Sequence, residues 1–496
     1  VDLAIEAGVA ALIAVLVLAG AGGSLPRADV RAMVDARLPG RAIPAGFLGL
    51  STEYTSVERY AGSDPNAINP VLVRLIKNLT PGQAPVLRIG GDSTDRSWWP
   101  VSGATMPPGV TYTLTPRWLE LTRALQRALG ARMILGINLE AASAAVAQGE
   151  AKALRDGLGT GAIRALELGN EPELYGIFAW YRTADHAKVT GRPRSYDFSS
   201  FAGDFNAVAQ GLPNLPLAGP AFGGFSWTPH LAEFLSSAPS VALVTLHRYP
   251  LQHCFIKPDS PRYATIDHLL APRSSVGLAN SFAPYAAVAH ARGRPLRVDE
   301  FNTVSCGAVR SVSQSFASAL WAPDALFALA RAGVDGVNLH TFPGAGYELF
   351  TFNRTSGRWS ARVYPEYYGL LLFARAAPAG SRLLPAAASG PAAVRIWATS
   401  ARDGSTRVLL VNDDRSRQHV AAVRVVGAGG AASLIRMLAP SAEATTGVTL
   451  GGASFGEQTT NGSLDPHADG IGAHGGRYFV TLPAASAALL TIAPGR

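Results

Sequence analysis

The stretch ALELGNEPELY, residues 165–175, decides how this chain folds. A mostly apolar run, Ala165-Leu166-Glu167-Leu168, stops at Gly169, and Asn170, Glu171 and Pro172 follow. A short apolar run closed by a turn residue reads as a buried strand. Seven more runs of this kind lie on either side: 47–51 (FLGLS), 85–89 (PVLRI), 132–139 (RMILGINL), 215–221 (LPLAGPA), 241–246 (VALVTL), 296–298 (LRV) and 336–339 (GVNL). Amphipathic patterns between them predict helices, as over 116–129 and 315–332. The runs are continuously apolar rather than alternating, the pattern of parallel strands covered by helices. Eight such β-then-α units predict an α/β fold, a (β/α)8 TIM barrel spanning residues 47–375.

After about residue 375 helical periodicity fades. Short alternating runs take over at 393–398, 407–411, 419–426, 433–438 and 477–482, separated by turns rich in Gly, Asp and Asn. They predict an antiparallel β-sandwich over 376–496, with a long loop at 453–476. A chain of 496 residues suits one large domain plus a smaller one.

Hydrophobic residues make up 48% and charged residues 16%, enough apolar material for a sizeable core. The formal charge is +8. Of 43 basic residues only Lys77, Lys152, Lys188 and Lys257 are Lys; the 39 Arg are scattered, with no basic run of the nucleic-acid-binding kind. A positive balance suits an acidic substrate. Residues 7–22 (AGVAALIAVLVLAGAG) form an apolar run of signal-peptide length, so residues 1–23 are expected to be a signal peptide or N-terminal anchor. The expectation is an exported protein, secreted, periplasmic or at the cell surface, without stable membrane association once the leader is cleaved. Only Cys254 and Cys306 occur. They follow strands six and seven, which are neighbours in a barrel, and a disulfide across the rim is expected. No metal-ligand spacing appears, His253 beside Cys254 being isolated.

Barrels of this class carry their chemistry at the C-terminal ends of the strands. Those ends supply Ser51, Glu53 and Tyr54; Arg88 and Asp92; Asn170 and Glu171; His247, Arg248 and Tyr249; Asp299, Glu300 and Asn302; and His340, with Tyr347 in the following loop. Any one of these fits a satisfied rim residue; six polar ends out of eight point to a site. Carboxylates ending strands four and seven face each other across the mouth, an arrangement that serves glycoside hydrolysis. One protonates the leaving oxygen while the other attacks the anomeric carbon. Asn170, beside Glu171, is placed to meet a sugar hydroxyl. Either Asp299 or Glu300 could be the strand-end carboxylate; if it is Glu300, as the family resemblance described next favours, Asp299 is expected to point the other way along the strand.

GNEPELY followed by VDEFN resembles the clan of retaining barrel glycosidases. More narrowly, FLGLSTEY (47–54), LRIGGDSTD (87–95), GNEPELY (169–175), DEFNTVSCG (299–307) and PEYYGLLLF (365–373) are similar to glycoside hydrolase family 79, which holds β-glucuronidases and heparanases. The resemblance covers the chain beyond its leader. It implies Glu171 as acid/base and Glu300 as nucleophile, with Glu53, Asp92 and Asn170 on sugar hydroxyls. It also implies that Tyr347 and the Gly307 amide hold the substrate carboxylate, and that a strand from within 28–46 joins the β-domain. Ser305 stands where some members place a second tyrosine. Tyr249 and His340 are expected to line the sugar pocket.

The expected activity is that of a retaining exo-β-glucuronidase acting on a glucuronide or a glucuronic-acid-containing oligosaccharide, with no cofactor. A heparanase-like endo-enzyme, another sugar within the clan and a non-catalytic carbohydrate-binding protein are the alternatives.

Overall fold

The computed structural model describes residues 27–494. The leader expected over residues 1–23 lies outside them. Eight parallel strands close into a barrel: β1 (Leu48–Glu53), β2 (Val86–Gly90), β3 (Arg132–Ile137), β4 (Ile163–Leu168), β5 (Leu217–Phe222), β6 (Val241–Arg248), β7 (Leu296–Phe301) and β8 (Gly336–His340). Each neighbours the next in sequence, and β8 pairs with β1 to complete the ring. All eight fall on the apolar runs read from the sequence. Every residue of β2, β5, β7 and β8 is buried, which is why those runs do not alternate.

The helices wrap the outside, and their ends are written locally. In Pro116–Leu129, Thr115 accepts the amide of Trp118 at 3.1 Å and Pro116 takes the first helical position. Gly130, at φ +68°, closes the helix in the left-handed conformation that glycine adopts without strain. Trp118, Leu119, Leu121, Leu125 and Leu129 face inward.

Two sheets form the β-domain. The order in one is Ala386–Ser389, Val30–Asp35, His419–Val426, Tyr478–Leu482. The segment Val30–Asp35 enters it from ahead of the barrel and runs parallel to His419–Val426, whereas the sheet's other pairings are antiparallel. The second sheet is antiparallel and centres on Thr406–Asn412, Ser486–Ile492 and Ala432–Leu438. The long turn-rich stretch 453–476 contains one short strand, Asp469–Ile471, and packs back on the barrel through Asn78, which donates to Gly462 O at 2.8 Å.

Barrel and β-domain share a core. The helix Phe316–Arg331 after β7 is buried on all sides up to its final Arg331 because it lies between them. Phe327 stacks on Trp397 at 5.7 Å, and Trp397 Nε1 donates to Asp324 at 2.7 Å. Among the described residues no helix is long and apolar enough to cross a membrane.

Candidate active site

Glu300 stands at the C-terminal end of β7. Its Oε2 accepts from Arg88 Nη1 at 2.7 Å, and its Oε1 accepts from the Tyr249 hydroxyl at 3.0 Å. Burial opposes its charge, but His340, His247 and Arg88 outweigh burial and hold the carboxyl well below the usual carboxylate range. Glu300 is therefore ionised at neutral pH.

Glu171 lies one residue beyond Asn170, just past β4, with a left-handed backbone at φ +49°. That conformation is uncommon outside glycine and asparagine. Its amide donates to Ala221 O at 3.0 Å, and its Oε1 meets His247 Nδ1 at 3.3 Å. A Cβ on Gly223 would sit 2.1 Å from that oxygen, so any side chain there would push the Glu171 carboxylate out of place. One atom each of Glu171, His247 and Glu300 lie within 4.8 Å of one another. The nearest oxygens of the two carboxylates are thus closer than the roughly 6.5–9.5 Å that admits an inverting water, on the side of the retaining arrangement at about 5–5.5 Å.

Arg88, fully buried, ties the floor together. Nε donates to Glu167 at 2.6 Å, and Nη2 donates to Asn170 Oδ1 at 2.9 Å and reaches His247 Nε2 at 3.2 Å. Asn170 is further fixed by Asp95, whose carboxylate accepts its amide at 2.9 Å and the Tyr175 hydroxyl at 2.7 Å. The Asn170 side-chain amide nitrogen has no protein partner among the described residues.

On the other side of the cleft His340 bonds Ser51 at 2.9 Å and reaches Glu53 at 3.3 Å. Burial works against the charged ring, but Glu300 and Glu53 raise its pKa. Glu53 accepts the Ser93 amide at 2.8 Å, and a Cβ on Gly91 (φ +74°) would lie 2.2 Å from it. Asp92 opens to solvent at the cleft mouth, yet the cleft walls enclose it. That enclosure, with Glu53, Glu300 and Glu171 near, pushes its carboxyl up to about 7.

Tyr347 packs beside Tyr249, ring centres 5.9 Å apart, in a small buried cluster with Ala345. The loop after β7 comes up to them: Gly346 donates to Gly307 O at 3.3 Å. Cys306, Gly307 and Ala308 all have positive φ, and the Cys254–Cys306 disulfide, across 52 residues, anchors this loop to the one after β6. Ser305 turns its hydroxyl toward Leu251 O at 3.4 Å instead of into the cleft. The tyrosine beside Tyr347 is Tyr249, just past the end of β6.

No family model matches the chain, and no curated protein matches it. Solved structures do. A 4-O-α-L-rhamnosyl-β-D-glucuronidase from Fusarium oxysporum 12S, in complex with Rha-GlcA, superposes with a TM-score of 0.70 at 19% identity over 92% of this chain and 100% of that one. A GH51 arabinofuranosidase from Xanthomonas axonopodis pv. citri gives 0.67 at 17% identity over 94% and 100%. A family 30 subfamily 8 xylanase from Clostridium acetobutylicum gives 0.53 at 14% over 93% and 99%. The fold is that of solved barrel glycosidases. At these identities the likeness concerns the arrangement of strands and domains.

Within this fold the structure corrects one expectation. Asp299 does not point away from Glu300. The pairing of β6 with β7 slips between Leu246–Val298 and His247–Glu300, so Asp299 is the extra residue of a β-bulge. Both carboxylates therefore face the barrel interior. Asp299 lies beneath Glu300, 3.6 Å from Arg88 Nε and 3.6 Å from His247 Nε2. Burial and the neighbouring Glu167 drive its pKa far up, whereas Arg88 outweighs burial to keep Glu167 low. Asp299 is thus the protonated partner. Its donation accounts for oxygens on both residues that otherwise lack a hydrogen bond.

Sequence reading placed Arg88 among the strand-end groups without a specific role and passed over Glu167, Asp95 and Glu173. The signal was present as charged residues inside apolar strands: Arg88 in VLRIG and Glu167 in IRALEL. Neither run shows that the other is its partner. Two groups, Glu167–His247–Asp299 and Glu171–His247–Glu300, bring possible metal ligands within 4.8 Å, a proximity that sequence spacing does not reveal. Arg88 already bonds Glu167 and Glu300 in these groups.

Proposed function

We propose that this protein is a retaining, exo-acting β-glucuronidase working by double displacement. The observation that carries the reading is the approach of Glu171 and Glu300 within 4.8 Å, with Glu300 charge-paired to buried Arg88. Glu300 attacks the anomeric carbon while Glu171 protonates the departing glycosidic oxygen. The C1–O bond breaks as the C1–Oε bond to Glu300 forms. Glu171, now ionised, takes a proton from water, which attacks C1 and frees both the sugar and Glu300. Asn170, Glu53, Asp92 and His340 meet sugar hydroxyls.

The choice of glucuronide rests on Tyr347 and the Gly307 amide beside the nucleophile, which offer neutral donors to a substrate carboxylate. The Fusarium neighbour, named a glucuronidase, is consistent with it. The test compares aryl β-glucuronide with glucoside and xyloside. Glucuronide is expected to be turned over fastest, and preference for a neutral sugar sinks the assignment. Tyr347→Phe is expected to lose about 1.5–3 kcal/mol, roughly ten- to a hundredfold in kcat/KM on the glucuronide.

A further inference from the structure

Among the described residues, four of the seven exposed large hydrophobic side chains cluster on the loops after β4, β5 and β6: Ile177 (66% exposed), Phe178, Phe225 and Phe255 (81%). Phe178 and Phe255 touch, their rings 5.7 Å apart. The underside of Phe225 is covered by the Arg248 guanidinium, 3.5 Å from the ring centre. Exposed apolar side chains gathered into one patch beside a cleft mark a binding surface, whereas scattered single ones do not.

These side chains are held in place. Ile177 and Phe178 donate their amides to Leu174 O, and Leu174 donates to Glu171 O at 2.9 Å, so the loop is built on the turn that carries Glu171. Glu173, in the same turn, accepts the amide of Gly224, which precedes Phe225. Phe255 follows disulfide-bonded Cys254 and has φ +57°, a strained conformation for a bulky residue of the kind found at ligand clamps. All four residues therefore stand on the Glu171 side of the cleft. In the proposed reaction that is the side on which the leaving group departs.

We propose that Ile177, Phe178, Phe225 and Phe255 form an aglycone platform, and that the natural substrate carries a flat, apolar leaving group such as an aryl ring system. The inference rests on Glu171 being the acid/base. None of the four side chains carries a donor or acceptor for sugar hydroxyls, and Ile177 has no ring face to stack on a pyranose. A planar apolar aglycone uses all four surfaces. Aromatic contact favours it by roughly three- to tenfold per ring.

The experiment measures KM for 4-methylumbelliferyl and methyl β-glucuronide, and for a glucuronyl disaccharide, in the wild type and in the Phe178→Ala/Phe255→Ala double variant. The aryl-to-methyl ratio of KM is expected to rise about tenfold or more. An unchanged ratio, or a loss confined to the disaccharide, overturns the proposal. If a different sugar is the one hydrolysed, the glucuronide assignment falls, and the aryl and methyl glycosides of that sugar give the same ratio. If nothing is hydrolysed, the proposed function falls. Binding of free 4-methylumbelliferone, followed by fluorescence, then reads the platform, and equal affinity in both proteins overturns it.

Discussion

Replacing Arg88 by Met tests the floor of the site. The stem is similar in size, but the guanidinium's bonds to Glu167, Glu300, Asn170 and His247 vanish, in a position with no solvent access. Glu167 is left buried without its cation. Breaking a buried pair from one side costs about 3–5 kcal/mol. An unfolding entropy of about 2.1 cal/mol/K per residue gives the 496-residue chain about 1 kcal/mol/K. The melting temperature at pH 7 should therefore fall by roughly 3–5 °C if the chain unfolds as one unit. The pH dependence has a definite sign. In the wild type Arg88 holds Glu167 low, so the pair stabilises at neutral pH and its contribution is lost as acid protonates Glu167. The gap between wild type and variant is therefore widest at pH 7 and narrows below about pH 4. Glu300 loses one of the cations that depress it, so the acid limb of kcat/KM moves to higher pH. Calorimetry across pH and kcat/KM profiles on an aryl glycoside measure both effects. A variant melting within about a degree of wild type, with an unmoved acid limb, refutes the reasoning.

Asp92 is pushed up to about 7, above its unfolded value, so its ionisation destabilises the folded state as pH rises from about 4 to 7. Asp92→Asn should flatten that part of the stability profile and remove an ionisation near 7 from kcat/KM, as melting curves and rates across pH will show. Replacing both Cys254 and Cys306 by Ser opens a loop closed over 52 residues, an effect of about 4 kcal/mol in denaturant titration. The freed Gly307 loop should raise KM for a glucuronide more than it lowers kcat, and an unchanged KM would detach that loop from substrate binding. Trp397→Ala removes the ring stacked on Phe327 and the donor to buried Asp324, costing about 3–5 kcal/mol. Because the two domains share this core, calorimetry should still record one transition at lower temperature, and two separate transitions would contradict the shared core.

By itself the sequence determined the barrel. Its eight strands are continuous apolar runs, and continuity follows from burial on both faces, a property each segment carries locally. The ends of those strands were legible for the same reason: a polar residue after an apolar run has to sit at the rim. In this way Glu171, Glu53, Asp92, His340 and Tyr249 could be named before their neighbours were known, and Glu300 together with Asp299 beside it. Ser486–Ile492 escaped because its side chains alternate between two apolar surroundings. Leu490 faces the sandwich interior and Leu489 the barrel helices, so no alternation of apolar with polar is written there. Partnership was the tertiary structure's to decide. Arg88 meets Glu167 across 79 residues and Glu300 across 212, and nothing in either local pattern encodes such a meeting. The direction of Asp299 was decided there too. Strict alternation turns it away from Glu300, but a bulge depends on the register between β6 and β7, which exists only once the two strands lie side by side.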